Sequence, residues 1–379
     1  MNNEYDYIIT GAGCAGLSLL MRLLQQPSLQ HKKILVIDSA AKTENDRTWC
    51  FWEKDKGLFD DIVYHQWQQL SFQSQQYHSS FSISPYTYKL IKGIDFYNHV
   101  MQYAAAFPNV HFTTEKVLSI HSINDKALVF TATAIYQSTF VFNSILFHAI
   151  DDKFKLKQHF KGWVIKTEKN VFDSNVATFM DFTVSQHNGT AFMYVLPFSA
   201  NEALVEFTMF TDMVLEQNDY NAELHKYIQD KLGITDFSVL HTEFGIIPMT
   251  TYNFKKHDGA IINIGTAGGD TKASSGYTFQ FIQKRTNAIV QLLIQNKYPS
   301  SGRGWRQRKF AFYDTVLLSV LHHNKLIAAK IFSQLFKKNK PQKILQFLDN
   351  ETHIVNDIKI ISSLPSKLSF ISALKEIFH

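Results

Sequence analysis

With 379 residues, 45% of them apolar and only 19% charged, the chain has enough apolar mass for a large core shared by two or three joined lobes. Its composition is not that of a disordered or low-complexity protein. Phe fills 32 positions, enough to line a cavity as well as a core, and the net charge of +5 sits in the tail, where from His322 onward Lys325, Lys330, Lys337, Lys338, Lys340, Lys343, Lys359, Lys367 and Lys375 face only Asp349, Glu351, Asp357 and Glu376.

In chain order, YDYIIT (5–10) alternates as a strand and GAGCAG (11–16) is a turn. LSLLMRLLQQ (17–26) has helical i, i+3, i+4 spacing and KKILVID (32–38) is a second strand, so the chain opens on a βαβ unit. HQWQQLSFQ (65–73) and YHSSFSIS (77–84) read as antiparallel strands of another sheet. The stretch 88–106 shows helical spacing. VHFTTEKVLSIH (110–121), ALVFTA (127–132) and STFVFNS (138–144) return to strand before an acidic break at Asp151 and Asp152. GWVIKTE (162–168), ATFMDFT (177–183), AFMYVLPFS (191–199) and ALVEFTMF (203–210) recur as strands. A helix near 219–231 and the strand HTEFGII (241–247) follow. A strand, a second Gly-rich turn and a long helix occupy 261–294, and from about 311 the chain is helical with loops at NKP (339–341) and SLPS (363–366).

Gly11, Gly13 and Gly16, with Ala12 among them, make a GxGxxG turn between a strand and a helix, where backbone amides and the helix N-terminus hold a pyrophosphate. The next strand ends in Asp38, at the spacing of an acid that accepts ribose hydroxyls. A second turn, INIGTAGG to SSGYTF, puts Gly265 after a strand and Gly276 at a helix start, which favours FAD over NAD. That helix N-terminus suits negative charge on a reduced flavin. The fold class expected is therefore α/β: a FAD-binding Rossmann-like domain (1–62, 85–151 and 248–305), an antiparallel-sheet substrate domain (63–84 and 152–247) and a helical C-terminal region (306–379).

Two features stand apart from that frame. NDRTWCFWEKD (45–55) holds Trp49, Phe51 and Trp52 beside Arg47. Arg47 suits a phosphate, and the aromatic residues either line a substrate channel or plug a core edge from a loop. EALVEFTMF (202–210) reads as a buried strand that opens on Glu202 and holds one acid in its apolar interior, Glu206, on the face of Leu204, Thr208 and Phe210, without a cationic partner in view.

Only Cys14 and Cys50 occur and the His residues have no HxH or HxxxH pattern, so neither disulfides nor a metal site is expected. No run reaches about 18 apolar residues. The expected location is cytoplasmic, with the basic, Phe- and Leu-rich tail suiting an anionic membrane surface, nucleic acid or a merely solvated helix face. Of these a peripheral membrane surface is adopted and no nucleic acid partner is expected.

In the order and spacing of YDYIITGAGCAGLSL, DRTWCFW, FMYVLPFS with ALVEFT, GIIPMT, GTAGGDTKASSGYTF and the helical FYDTVLLSVL to FLDN, nearly the whole chain resembles the lycopene β-cyclase family of flavoproteins. The resemblance implies cyclisation of lycopene ends into β-ionone rings (β-carotene by way of γ-carotene), with reduced FAD present, NAD(P)H as its reductant and no net oxidation. It makes Glu206 the catalytic acid and Tyr277, with Gly276, a retained cofactor contact. Two segments depart from the family pattern: Phe207 replaces a second acid, and Lys272-Ala273 replace a common His-Pro.

Protonating an alkene needs an acid kept neutral, and burial among Leu, Val and Phe raises a carboxyl pKa. Aromatic faces then stabilise the tertiary cation. Other readings stay open: a FAD-dependent monooxygenase, against which Gly265-Thr266 and Asn143-Ser144 replace that class's Gly-Asp and Asp-Gly pairs; a prenyl-chain reductase; and a carotenoid-carrying flavoprotein without activity. Ring number and β versus ε unsaturation are not decided by the sequence.

Overall fold

The computed structural model describes residues 3–148, 150, 156–300, 302, 304–322 and 328–365. Asp151, Asp152, Lys325, Lys367, Lys375 and Glu376, which entered the reading of the acidic break and the basic tail, lie outside them.

β1 (Glu4–Thr10), α1 (Cys14–Leu24) and β2 (Ile34–Asp38) form the opening βαβ unit. Residues 48–53, read as an aromatic loop, are a strand, β3 (Thr48–Glu53). The run 65–73 divides between β4 (His65–Trp67) and β5 (Gln69–Gln73), in different sheets, and β5 pairs with β6 (His78–Ser82). The stretch 88–106 is not one helix: β7 (Thr87–Lys92) precedes α2 (Gly93–Ala104), because the first residues pair with β3 and β4. β8 (Val110–Thr114), β9 (Ser119–Ile123), β10 (Lys126–Phe130) and β11 (Ile135–Asn143) follow. Then come β12 (Lys157–Lys166), β13 (Val176–Asp181), β14 (Thr190–Pro197), β15 (Glu202–Thr211), α3 (Gln217–Asp230) and β16 (Ser238–Pro248). β17 (His257–Asp258), β18 (Ile261–Asn263) and α4 (Phe279–Ile294) lead to α5 (Trp305–His322), α6 (Ala328–Lys338), α7 (Pro341–Leu348) and α8 (Ile354–Ser362).

The first sheet has the parallel order β18-β11-β1-β2-β8, with β17 antiparallel at one edge and β9-β10 branching from β11. α1 lies on it against α4, where Arg22 donates to Thr286 and Gln283 at 3.2 and 3.1 Å. The second sheet runs β16-β12-β15-β14-β13-β5-β6, antiparallel except between β13 and β5. Its strands alternate between two cores. Val205, Phe207 and Met209 face Tyr220 and Leu224 of α3, while Leu204 and Phe210 join the core that contains Phe332 and Phe336 of α6.

The small sheet β3-β7-β4 joins these bodies by the same period of two. Phe51 and Ile91 enter the core under the parallel sheet, whereas Trp52, Tyr88 and Leu90 enter the core beneath the second sheet. The aromatic cluster therefore serves both sides: Phe51 stacks on Phe279 at 4.1 Å and Trp52 packs edge-on to Tyr277 at 4.8 Å.

Candidate active site

Each glycine of the first turn answers a different steric demand. Gly11 has φ +98°, and a Cβ there would lie 2.1 Å from Ser144 Oγ. A Cβ at Gly16 would lie 2.0 Å from the Gly11 carbonyl, so helix and strand touch only because it is absent. Gly13, which caps α1 without any side-chain hydrogen bond, would direct a Cβ into open space. This is the pattern a pyrophosphate at the helix N-terminus requires. Asp38 braces the turn, accepting from the amides of Ala12 (2.7 Å) and Ala40 (2.8 Å) and pairing with Lys42 at 3.4 Å. Its remaining lone pairs are available to hydroxyls.

The second glycine turn packs on the first: Gly265, at φ +58°, would place a Cβ 2.9 Å from Ala15 Cβ. Gly276, at φ +70°, would place one 2.1 Å from Gln158 Oε1 on β12. Gln158 Oε1 and the Tyr277 hydroxyl are buried without hydrogen-bond partners. An uncapped helix end, an open cradle at Gly13 and polar atoms awaiting partners all fit a dinucleotide that reaches from α1 towards the second sheet.

Glu206 lies on that sheet. In register it faces Tyr194 of β14 on one side and Gly162 of β12 on the other, and Gly162 in turn faces Glu243 of β16. Residues aligned across a sheet project from the same face. Gly162 has no side chain to separate the two acids. A Cβ there would lie 2.9 Å from Leu204 Cδ1, 3.1 Å from Glu243 Cγ and 3.2 Å from Glu243 Oε1. The Glu243 side chain thus leans over the glycine, and the two carboxyls hydrogen-bond. Thr208 donates to Glu206 Oε1 at 2.8 Å.

Burial pushes the Glu206 carboxyl well above the ordinary range, and the charge of Glu243 and their hydrogen bond push the same way against Thr208. Glu243 is raised by burial too, but the Thr48 hydroxyl, the bond with Glu206, and the charges of His241 and Arg47 all favour its anion. Of the two, Glu206 is the one pushed further towards its neutral form. Glu206 is half-buried.

Cys50, Tyr88, Tyr194 and Tyr277 complete the surroundings, each held protonated chiefly by burial. Phe179 packs edge-on to Tyr194 at 6.1 Å and stacks with Tyr277 at 6.4 Å. Arg47, itself exposed, stands at the start of β3, where Gly93 donates its amide to the Arg47 carbonyl at 2.7 Å.

Glu243 and Gly162 were not singled out in the sequence. Glu243 carries the same signal as Glu206, an acid inside an apolar strand, and Gly162 is a glycine inside a strand, which marks a close approach. Phe207 lies on the opposite face, 6.2 Å ring to ring from Tyr220, so it has no part in this site. Lys272 turns away as well: its Nζ donates to Asp314 at 2.7 Å and Asn350 at 2.8 Å, tying the second glycine turn to the C-terminal helices. Among the described residues no cluster of His, Cys, Asp and Glu suits a metal, and no helix is long and apolar enough to cross a membrane.

A parallel sheet with paired glycine turns beside an antiparallel sheet is the Rossmann-type fold of FAD-dependent oxidoreductases, with helices at the C-terminus. Solved structures agree. A flavoprotein/dehydrogenase from Cytophaga hutchinsonii superposes with a TM-score of 0.67 at 12% identity, covering 99% of this chain and 100% of that one. A geranylgeranyl bacteriochlorophyll reductase-like protein from Thermoplasma acidophilum gives 0.62 at 12% (99% and 98%). HpxO of Klebsiella pneumoniae, solved with FAD and uric acid, gives 0.64 at 13% (95% and 97%).

The family described as lycopene cyclase protein matches residues 6–374, and the chain belongs to it. Lycopene beta-cyclase of Pantoea ananas is 27% identical over 273 residues, which span 66% of this chain and 64% of that protein.

Proposed function

We propose that this protein is a FAD-dependent lycopene cyclase that closes β-ionone rings by acid catalysis, without net redox change, and so acts as an intramolecular lyase. The observation that carries this reading is a carboxyl group, Glu206, whose burial pushes its pKa well above the ordinary range on a strand face it shares with Tyr194. Gly11, Ala12, Gly13, Gly16, Asp38, Arg47, Gly265, Gly276 and Tyr277 would hold FAD. When bound and reduced by NAD(P)H, FAD supplies negative charge beside a developing cation.

The chain's own residues account for the remaining requirements. Glu206 gives its proton to the terminal alkene, whose π pair forms the new C–H bond and leaves a tertiary cation. The next double bond attacks that cation to close the ring, and a ring carbon then loses a proton, its C–H pair becoming the ring alkene and the proton restoring the acid form of the Glu206 carboxylate. Phe179, Phe192, Tyr194 and Tyr277 present ring faces and edges that exclude water. Each aromatic face near a desolvated cation contributes about 2 kcal/mol.

The domain division given above is proposed with this function: nucleotide on the parallel sheet, polyene on the second. Drawing a C40 hydrocarbon from a bilayer requires peripheral docking. The apolar sides of α6 and α7 are not free for it, since Phe332, Leu335, Phe336, Ile344 and Leu345 are core residues. Lys337, Lys338, Lys340 and Lys343 remain exposed, as do Ile354, Val355 and Ile358 on α8. Liposome binding that weakens with salt is expected, and equal binding to neutral and anionic vesicles would remove its electrostatic part.

The test is anaerobic incubation of purified protein with lycopene and chemically reduced FAD, beside Glu206→Gln. β-Carotene from the wild type alone supports the reading. A hydroxylated or hydrogenated product, or full activity of the variant, rejects it.

A further inference from the structure

Glu243 lies on a different strand from Glu206, yet the sheet delivers both carboxyls to one point, and it does so through a residue that contributes no side chain. We propose that Glu206 and Glu243 form a pair holding one proton, in which Glu243 is a positioning residue: its anion keeps Glu206 protonated and fixes the orientation of its carboxyl. The proposal rests on the cyclase reading for its purpose, but the pair itself is testable without substrate.

Three geometric facts carry it. Gly162 is in register with both acids, so two like groups share one face with an empty position between them. The Glu243 side chain occupies that position, its Cγ and Oε1 being 3.1 and 3.2 Å from where a Gly162 Cβ would stand. Thr208 donates to Glu206 Oε1, which makes Oε1 the accepting oxygen and leaves the proton on the other. Two carboxyls in hydrogen-bond contact cannot both ionise at low cost, so they titrate as a pair. The asymmetry comes from Glu243's other neighbours, Thr48 and Arg47 from the start of β3 and His241 two residues along β16. Glu206 instead faces the neutral Tyr194 of β14, in register with it, while the neutral Cys50 of β3 lies beside both carboxyls.

The experiment is an infrared titration of the protonated-carboxyl C=O band in the FAD-loaded protein without lycopene, for wild type, Glu206→Gln, Glu243→Gln and Gly162→Ala. Each is repeated in a His241→Gln background, because the His241 imidazole also acts on Glu243. A band persisting to alkaline pH in the wild type and absent from Glu206→Gln is expected. In Glu243→Gln the band should remain with its midpoint lowered by about one pH unit or more. Gly162→Ala, which pushes the Glu243 side chain aside, should shift it in the same direction.

In turnover, the alkaline limb of kcat should move down in both variants with KM little changed. An unmoved midpoint in Glu243→Gln and Gly162→Ala would overturn the pair and leave burial alone as the cause. A band that survives Glu206→Gln would overturn it as well. Absence of β-carotene from a wild type with the expected titrations would reject the cyclase reading and leave the pair standing.

Discussion

Gly265 and Ala15 meet across 250 residues of sequence: a Cβ on the glycine would lie 2.9 Å from Ala15 Cβ, and Gly265 also holds φ +58°. This contact joins the second glycine turn to the first turn of α1 and brings the two motifs proposed to hold FAD into one place. It also separates the glycines that serve packing from Gly13, which is proposed to serve the cofactor. Gly13→Val projects into open space and should retain the wild-type melting temperature while losing FAD on gel filtration. Gly16→Val and Gly265→Val should lose thermal stability before cofactor affinity is considered, since their Cβ atoms meet backbone or helix.

Thr208 and Glu243 should act on Glu206 in opposite senses. The Thr208 hydroxyl favours the Glu206 anion, so Thr208→Val raises proton affinity. The alkaline limb of activity should move up in pH, and kcat should fall about tenfold for a lost hydrogen bond of ~1.4 kcal/mol. A pH–rate profile of Thr208→Val beside wild type reads both effects. A downward shift would contradict the assignment of Oε1 as acceptor.

The Lys272 Nζ is committed to Asp314 and Asn350. Lys272→Met leaves Asp314 buried without its cation, with the Ser274 hydroxyl still donating to it at 2.6 Å, and should cost about 3–5 kcal/mol in urea unfolding. Lys272→Met combined with Asp314→Leu should recover a large part of that loss, because the unpaired charge goes with the pair.

Phe207→Glu installs the second acid that the family resemblance implies, but on the wrong face for this site. The carboxyl would enter the core beneath α3, next to Tyr220, and should lower the melting temperature sharply without restoring ring formation to Glu206→Gln. Phe207→Leu should cost only about 1 kcal/mol as a near volume-conserving change. Thermal melts and product assays on the single and double variants check this.

Asp349 gives a pH signature to stability. Burial raises its carboxyl to about 7, opposed by Lys284. Its folded-state pKa exceeds the unfolded one, so the folded protein binds the extra proton between them and stability falls as pH rises through about 7. Asp349→Asn should be more stable than wild type at pH 8 by roughly 2–4 kcal/mol, with the difference vanishing near pH 4. Urea midpoints at the two pH values are the measurement.

The opening βαβ unit and the strands of the second sheet were legible because their periods of 3.6 and 2 are local properties. Residues 48–53 and 87–92 were not, since Trp, Phe and Tyr in short runs suit a plugged loop or a helix face as well as a strand. Only their pairing with each other and with β4 makes them a sheet. Glu206 stood out as the acid in the apolar interior of its strand, beyond the terminal Glu202. Glu243 was passed over although it posed the same question in HTEFGII, and the link between them is a glycine whose importance is an absent side chain.

By itself the sequence determined that this protein has a nucleotide-type glycine turn, a second one far downstream, a strand-rich lobe and an acid in an apolar strand. All of these are statements about neighbours along the chain. The tertiary structure alone decided that the two turns touch, that Phe207 lies away from the site and Lys272 is a structural tie, and that Glu206 has a second carboxyl as its partner. Register across β15, β12 and β16 makes that last choice, because hydrogen bonds between strands, not distance in sequence, set which side chains share a face.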